Sequence, residues 1–486
     1  MKRWNPRTLT LVATALGSSL AFIDATVVVV ALPRIRDDLD LGLTGQQWVF
    51  LSYSLTLAAL YLVSGAIGDR YGRRESFIGG VVAFALASAL CALAPSEGVL
   101  IAARALQGIG GAVLTTNSLA LLREVYGSES GRAIGLWTSL TSIATIGGPP
   151  AGGALVEWVS WRWIFIVNVP LAVVTVVLAL AGRCHSRETT RVGRMDVLGA
   201  FLAALGLAAL TYALVEGADR GIGAVWWAIV AAVVGLVGFV LWELRAAEPL
   251  LPFELFRRRN FAAANAATFL IYAALGAYLL FVPVFLQFIG YSPFKAGLFL
   301  TPGSLAMVLF ASRFGAIADR RGPRLLLTVG PTLVGVGLLL LLPISDMSSF
   351  WMWIVPATVT LSFGLAMLVA PITNTAIASA PQELAGVASG VNQTVARVGG
   401  LLAVAVVGLV VALVFDARTD DPDAQPLPTT EATQEVHDAS LAGFRAGMLV
   451  AAGLAFGGAA IAAVGISDAE ALGRRRRPSG EHAFEA

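Results

Sequence analysis

The sequence predicts an all-α integral membrane protein of fourteen transmembrane helices: two six-helix bundles with two helices inserted between them. Three observations predict it. Apolar residues make up 57% of the chain and charged residues only 13%, about half the charged share of a soluble globular domain. The mean hydropathy is +0.78, and the apolar runs reach about 20 residues, enough to cross a bilayer as helices. Finally, the charged turn Gly65-Ala-Ile-Gly-Asp69-Arg70-Tyr-Gly72-Arg73-Arg74 returns as Gly315-Ala-Ile-Ala-Asp319-Arg320-Arg-Gly322-Pro-Arg324. A polar hairpin repeated between apolar runs marks an internally duplicated transporter.

The spans are predicted near 9–32, 47–67, 77–95, 98–122, 133–157, 162–181, 195–215, 225–243, 261–288, 294–318, 323–344, 351–378, 386–414 and 440–466. The first follows Lys2, Arg3 and Arg7 as a secretory leader would. It is too long for a leader's apolar core, carries Asp24 and lacks a persuasive cleavage site, so it reads as a span. One copy of the repeated turn joins the second and third helices, the other the tenth and eleventh. Helices one to six therefore match nine to fourteen, and seven and eight are the insertion. The predicted units are an N-terminal bundle (1–182), the inserted pair with basic flanking loops (183–260), a C-terminal bundle (261–466) and a basic tail (467–486). The inserted pair, almost wholly apolar, is expected at the bundle periphery, facing lipid.

Basic residues set the orientation. Alternate loops and the two ends carry 23 of the 33 Lys and Arg, and the opposite loops carry seven. The excess of Lys and Arg on cytoplasmic loops predicts a multi-pass protein of the cytoplasmic membrane with both termini in the cytoplasm. The longest opposite loop, 415–440, is acidic and rich in Pro and Thr, and is expected to be a flexible or hairpin-like solvated excursion.

Several function classes fall away. The only lysines are Lys2 and Lys295, neither after a glycine, so no phosphate-binding G-x-x-x-x-G-K-[ST] loop exists. His185, His437 and His482 lie in loops or the tail, which excludes a histidine relay within the membrane. Cys91 and Cys184 fall too far apart in this topology to bridge. The arginines are scattered over short loops rather than gathered on one face, which argues against nucleic acid. No enzyme activity, metal, nucleotide or cofactor is expected, only a proton gradient as driving force. The expected partners are the bilayer, a small-molecule substrate and protons, and the expected state is a monomer.

The turn from Gly65 to Arg74 resembles the signature loop of the major facilitator superfamily, and further segments are similar to its fourteen-helix drug:proton antiporter branch. Ile23-Asp24-Ala25-Thr26-Val27-Val28-Val29-Val30-Ala31-Leu32-Pro33 is similar to L-D-x-T-x-V-N-V-A-L-P, with Val29 in place of the usual Asn. Arg104-Ala-Leu-Gln107-Gly108-Ile-Gly110-Gly111 matches the pattern of helix four. Gly148-Pro149-Pro150-Ala151-Gly152-Gly153 matches the helix-five antiporter signature G-P-x-x-G-G, although Ala144 stands where its extended form has Gly. Trp161 to Pro170, with Arg162, Phe165 and Asn168, also fits the branch. The resemblance implies the major facilitator fold, alternating access and multidrug efflux of the antibiotic-resistance type. It also implies that helix five packs on its pseudo-symmetry mate across the bundles.

Each motif has a physical reading. Glycines in the repeated turns permit a tight hairpin, and arginines hold it at an anionic membrane surface. Asp69 is placed to face the positive N-terminal end of helix thirteen, near Glu383 to Gly386, and Asp319 the start of helix five, near Gly131 and Arg132. With Arg70, Arg320 and an Arg73–Glu124 pair these form a cytoplasmic latch, closed in the outward-facing state. The alternative, purely topogenic charge, leaves the repetition unexplained. In helix five, Pro149 and Pro150 kink the helix, and Gly148, Gly152 and Gly153 allow close approach.

Asp24 and Arg104 are the sharpest pair, because ionisable groups inside spans are costly and mark pathways. Asp24 lies eight residues before Leu32 and Arg104 six after Gly98, so both sit roughly 9–12 Å below the outer surface at about 1.5 Å per residue. Asp24 is the only carboxylate placed deep in a span, and is the expected proton carrier; a purely structural ion pair is the alternative. Arg313 and Arg397 are read as snorkelling from cytoplasmic helix ends. Tyr53, Asn117, Trp137, Asn265, Tyr272, Tyr278, Gln287, Asn374, Asn392 and Gln393 are the polar-capable groups that could line a substrate cavity. Such a cavity suits a lipophilic or amphipathic solute, neutral or monocationic. The favoured function is proton-coupled export of such a compound. The alternatives are a facilitator or proton symporter of a metabolite, and a lipid-handling membrane protein.

Overall fold

The computed structural model describes residues 5–182, 196–221, 223–246, 251, 253–347, 350–381, 384–421, 424–428 and 433–475. The side chains of some residues inside helices, Asp69 and Arg132 among them, fall outside that description, as do Cys184, His185 and His482. The first bundle comprises α1 (Pro6–Leu39), α2 (Leu43–Tyr71), α3 (Arg73–Ala92), α4 (Glu97–Tyr126), α5 (Ser130–Trp158), and the sixth span, broken at Val167 into α6 (Trp163–Ile166) and α7 (Asn168–Ala181). The inserted pair is α8 (Val197–Arg220) and α9 (Trp226–Glu243). The second bundle comprises α10 (Arg259–Phe288), α11 (Pro293–Arg321), α12 (Arg324–Leu339), α13 (Val355–Ala378), α14 (Ala385–Asp416) and α15 (Gln434–Gly465), followed by a short α16 (Asp468–Arg475). Eleven spans are long and apolar enough to cross a membrane by composition. With α2 and α5, each 29 residues, and the shorter α12, the described residues supply fourteen.

Local chemistry sets the ends. Asn5 caps α1 by accepting from the Arg7 amide at 3.0 Å, with Pro6 at the first helical position, where its missing N–H costs nothing. Ser292 and Pro293 start α11 in the same way. The two copies of the repeated turn converge on one backbone solution: Gly72 has φ 92° and Gly322 φ 94°, a region that side chains disfavour. Each turn thereby reverses the chain at a single glycine.

We call the face carrying the start of α1 and the end of α15 the near face, and the opposite one the far face. At the far face the bundles are joined. Gly153 of α5 lies against the Pro293 and Phe294 backbone, and Gly297 of α11 against the Pro149 carbonyl. Trp158 stacks on Phe294 at 5.6 Å, and Glu157 accepts from the Phe294 amide at 3.1 Å. The Gln287 side chain donates to the Val30 carbonyl at 3.0 Å, and Gln47 of α2 fills the space beside Gly408 of α14. These contacts between the bundles all lie in the far half. Toward the near face, Leu136, Leu140 and Ile143 of α5 and Leu305, Leu309 and Ile317 of α11 are exposed. The protein is thus closed at the far face and open toward the termini.

The inserted pair packs with α8 on α2 and α14, along one seam between the bundles, while α9 presents Trp226, Val230, Val233, Val234 and Val237 outward. Tyr212 is held between Trp48 of α2 and Trp227 of α9, and Trp48 donates to Glu216 at 2.8 Å.

One expectation is corrected. The 415–440 loop is not simply a solvated excursion. Leu427 is buried, and Arg36 at the end of α1 donates to the Pro426 and Leu427 carbonyls at 3.0 Å and to Gln425 at 2.8 Å, so the loop fastens one bundle to the other. The basic tail begins as α16, where Asp468 accepts from the Arg324 amide at 3.0 Å and so caps α12 beside the second repeated turn.

Candidate functional site

The first bundle holds a closed polar cluster in an otherwise apolar interior. Asp24 of α1 is 2% exposed and Arg104 of α4 is fully buried. Arg104 Nη1 bonds Asp24 Oδ2 directly and also donates to Gln107 Oε1 at 2.6 Å, while Nε donates to the Val49 carbonyl at 3.1 Å. The other Asp24 oxygen accepts from Gln107 Nε2 at 2.8 Å and Asn168 Nδ2 at 3.4 Å. Ser88 closes the ring, accepting from Asn168 at 3.1 Å and Gln107 at 3.3 Å and donating to the Phe165 carbonyl at 2.9 Å. The guanidinium lies over the Tyr53 ring, 4.4 Å from its centroid, with Phe165 at 5.7 Å. Of the buried polar atoms here, Arg104 Nη2 alone has no hydrogen-bond partner.

The pairing expected from helix depth is therefore formed, and it draws in α2, α3 and α7. Two charges share one buried site and neutralise each other, each also bonded by neutral dipoles. Such a pair persists in low dielectric only when its remaining hydrogen bonds are met. Gln107, Asn168 and Ser88 were not assigned a role from the sequence. Gln107 lies one turn after Arg104 and Asn168 within a quoted motif; their polarity inside apolar runs was the available signal.

Helix α5 is a wedge between α1 and α11. A methyl at Gly152 would stand 2.4 Å from Val27 of α1, one at Gly153 2.5 Å from the Pro293 carbonyl, and one at Gly297 2.3 Å from the Pro149 carbonyl. Gly148 faces Thr26 and Ile23 more loosely. The helix across the bundles is α11, the tenth span, rather than the pseudo-symmetry mate α14. A two-fold axis that exchanges α5 with α14 also exchanges α11 with α2, so the symmetric contacts are α5 with α11 and α2 with α14.

At the near face, Arg73 lies 3.9 Å from Glu124 and donates to the Ala120 carbonyl at 3.3 Å. Arg70 and Arg320 are exposed at their helix ends. The side chains of Asp69 and Arg132, the surroundings of Gly131 and Gly386, and the whole of Glu383 lie outside the described residues. Asp319, exposed, borders a small recess with Pro371, Asn374 and Glu470, formed by α11, α13 and α16. The face these residues occupy is the open one.

Most of the cavity candidates are corrected. Tyr53 donates to the Ala21 carbonyl at 3.1 Å, beneath Arg104. Asn117 donates to the Ser64 and Val113 carbonyls, and its amide fills the space beside Gly68. Trp137 donates to the Thr14 carbonyl at 3.2 Å. Asn392 donates to Asn265 at 3.2 Å and Thr268 at 2.9 Å, tying α14 to α10. Tyr278 is buried beside Phe299. These groups join helices within a bundle, as polar side chains in membrane helices commonly do. Gln287 belongs to the far-face closure, and Asn374 is exposed near the opposite end. Tyr272 and Gln393 remain half-buried.

Comparison with known proteins agrees with this architecture. The model of the family described as Major Facilitator Superfamily matches residues 14–404. The chain is 37% identical over 424 residues to the multidrug resistance protein Stp of Mycobacterium tuberculosis, covering 85% of this chain and 77% of that protein. It is 34% identical to the tetracenomycin C resistance and export protein of Streptomyces glaucescens, covering 83% and 76% of the two chains. To the puromycin resistance protein pur8 of Streptomyces alboniger it is 33% identical, covering 90% and 88%. The fold also matches the crystal structure of a bacterial homolog of the human lysosomal transporter Spinster in an inward-facing and unoccupied conformation, with TM-score 0.69 and 17% identity over 98% of this chain and 99% of that one. With paired bundles, a duplicated turn and a family match over most of its length, this chain belongs to the Major Facilitator Superfamily.

Proposed function

We propose that the chain is a secondary active exporter that moves an amphipathic or lipophilic drug-like molecule out of the cell in exchange for protons. The relatives whose names record multidrug, tetracenomycin C and puromycin resistance support the substrate class. The surplus of basic residues on the near face supports a cytoplasmic location for both termini. The opening then faces the cytoplasm, where an exporter loads.

The observation that carries the proton reading is the Asp24–Arg104 pair, buried in the middle of the first bundle with every Asp24 acceptor engaged. In the inward-open state the carboxylate is ionised and balanced by Arg104. On the outward-open side of the cycle a proton from outside takes the place of Arg104 on Asp24 Oδ2. Return to the inward-open state releases that proton to the cytoplasm and re-forms the pair. Energy enters as the difference in proton affinity between the two states. The Gly148–Gly153 wedge keeps the far face tight while the near face is open. The test is transport by the purified protein in proteoliposomes with an imposed pH gradient and a panel of amphipathic solutes. Uptake that follows the gradient and collapses with a protonophore is expected; transport indifferent to the gradient would refute proton exchange.

A further inference from the structure

Among the described residues, one further charged side chain lies at the middle of the membrane, outside the Asp24 cluster. Arg397 is twelve residues into α14, roughly 18 Å from its near end at about 1.5 Å per residue. At that depth it does not snorkel to either surface, which corrects the reading from sequence, and phospholipid headgroups are equally out of reach. Its guanidinium reaches across the gap between bundles and lies over the Tyr61 ring of α2, 4.9 Å from the centroid. Tyr272 of α10 stands against the next turn of α14, its carbonyl 3.4 Å from where a methyl at Gly400 would lie.

Arg397 has no ion pair and no hydrogen bond among the described residues. Its Nε is buried without an acceptor, and the Thr394 hydroxyl, three residues earlier on the same face of α14, is likewise buried and unpartnered. Asp24, the deep carboxylate that could serve it, is already occupied by Arg104, Gln107 and Asn168. The wall between the bundles therefore carries an uncompensated positive charge with two orphan donors beside aromatic faces. An isolated charge at this depth marks a pathway, and orphan buried donors call for an acceptor that the protein itself does not supply.

We propose that Arg397 and Thr394, with the rings of Tyr61 and Tyr272, form an anion subsite, and that the exported compound carries an acidic group, a carboxylate or ionised phenol, on an aromatic body. An Arg guanidinium holds such oxygens by charge-assisted hydrogen bonds, while the tyrosines accept the apolar ring. This reverses the expectation of a neutral or monocationic solute. That the ligand is exported rests on the function proposed above; that the subsite binds an anion does not.

Binding to the full chain in phosphatidylcholine nanodiscs separates the two. The probes are pyrenebutyrate, its methyl ester and the matching trimethylammonium derivative, each corrected for partition into protein-free discs. A charge-assisted bond predicts that the wild type binds the carboxylate about tenfold or more tightly than the ester, and the cation most weakly. Arg397→Gln should bind carboxylate and ester alike, with the ester's affinity unchanged as evidence of an intact fold. Arg397→Lys should keep part of the preference. A preference that survives Arg397→Gln, or a wild type that favours the ester or the cation, would overturn the subsite. Charge-selective binding without gradient-driven transport would refute the export reading and leave the subsite standing; transport of all three probes without selectivity would do the reverse.

Discussion

Gly297 of α11 rests on the carbonyl of Pro149 of α5, and one turn away Gly153 of α5 rests on the carbonyl of Pro293 of α11, so that a methyl at either glycine would stand within 2.5 Å of backbone oxygen. Backbone cannot yield as a side-chain tip can. The two contacts are reciprocal, each helix offering a glycine to the other's proline carbonyl. The signature of helix five is in this sense half of a joint whose other half is in α11.

Gly153→Ala and Gly297→Ala should therefore each disfavour far-face closure, by about 1–3 kcal/mol if they behave as ordinary overpacking. Spin-label distances across the far face should lengthen in a large fraction of molecules, and transport should fall. Gly147→Ala, whose added methyl would meet nothing within 4 Å, should leave the distances unchanged.

Arg36 is the second element of the closure. Arg36→Gln removes a charge-assisted tie from α1 to the 424–428 segment, a loss of about 1.5–3 kcal/mol per bond. The expected result is faster proteolysis of that segment and a larger far-open fraction, both measurable on the purified protein. An unchanged cleavage rate would mean that the loop stays docked without it.

At the near face, the two repeated turns lie on the side where Leu136 and Leu140 of α5 and Leu309 and Ile317 of α11 are exposed. Asp69→Asn should favour the open conformation further, since the charge proposed to hold the near halves together is lost. Asp319→Asn should act in the same direction but more weakly, its loop having Pro323 and no equivalent of Arg73. Distance distributions between cysteine-attached labels on the near ends of α2 and α14 would register the shift, and identical distributions in all three proteins would count against a latch.

How much of this was legible in the sequence depended on geometry. Depth along a helix follows from residue number, so the sequence alone matches Asp24 and Arg104 in height. Direction around the axis does not. Tyr53, Asn117, Trp137, Asn265 and Asn392 sit within spans but point into their own bundles, where helices too apolar to show which face is buried gave no warning. Gln107, Asn168 and Ser88 went unassigned because a neutral polar residue in a span carries little signal until its partners are known.

Arg397 was misplaced for a different reason: a charge in an apolar run is expected to escape to an end, and α14 extends far enough on both sides to prevent it. The turns at Gly72 and Gly322 were legible because their chemistry is local. The pairing of α5 with α11 required knowing how the axis between the bundles exchanges helices, which duplication alone does not supply.

The buried ion pair yields a stability prediction distinct from transport. Arg104→Gln leaves Asp24 as an unbalanced buried charge and should destabilise the protein by about 3–5 kcal/mol. Asp24→Asn should cost a comparable amount in the opposite sense of charge. The double variant Asp24→Asn/Arg104→Gln removes both charges and should recover much of the thermal stability, without recovering coupling. A double variant as unstable as either single one would show that the pair's hydrogen bonds, rather than charge balance, hold the cluster.

Whether Asp24 carries the proton is tested most directly by comparing wild type with the Asp24→Asn/Arg104→Gln double variant in proteoliposomes. Both are loaded with a solute that each binds equally, and transport is followed on imposing a pH gradient. Gradient-driven accumulation is expected of the wild type, and only gradient-independent equilibration of the variant. Accumulation by the variant at the wild-type rate and with the same dependence on the gradient would contradict Asp24 as the carrier.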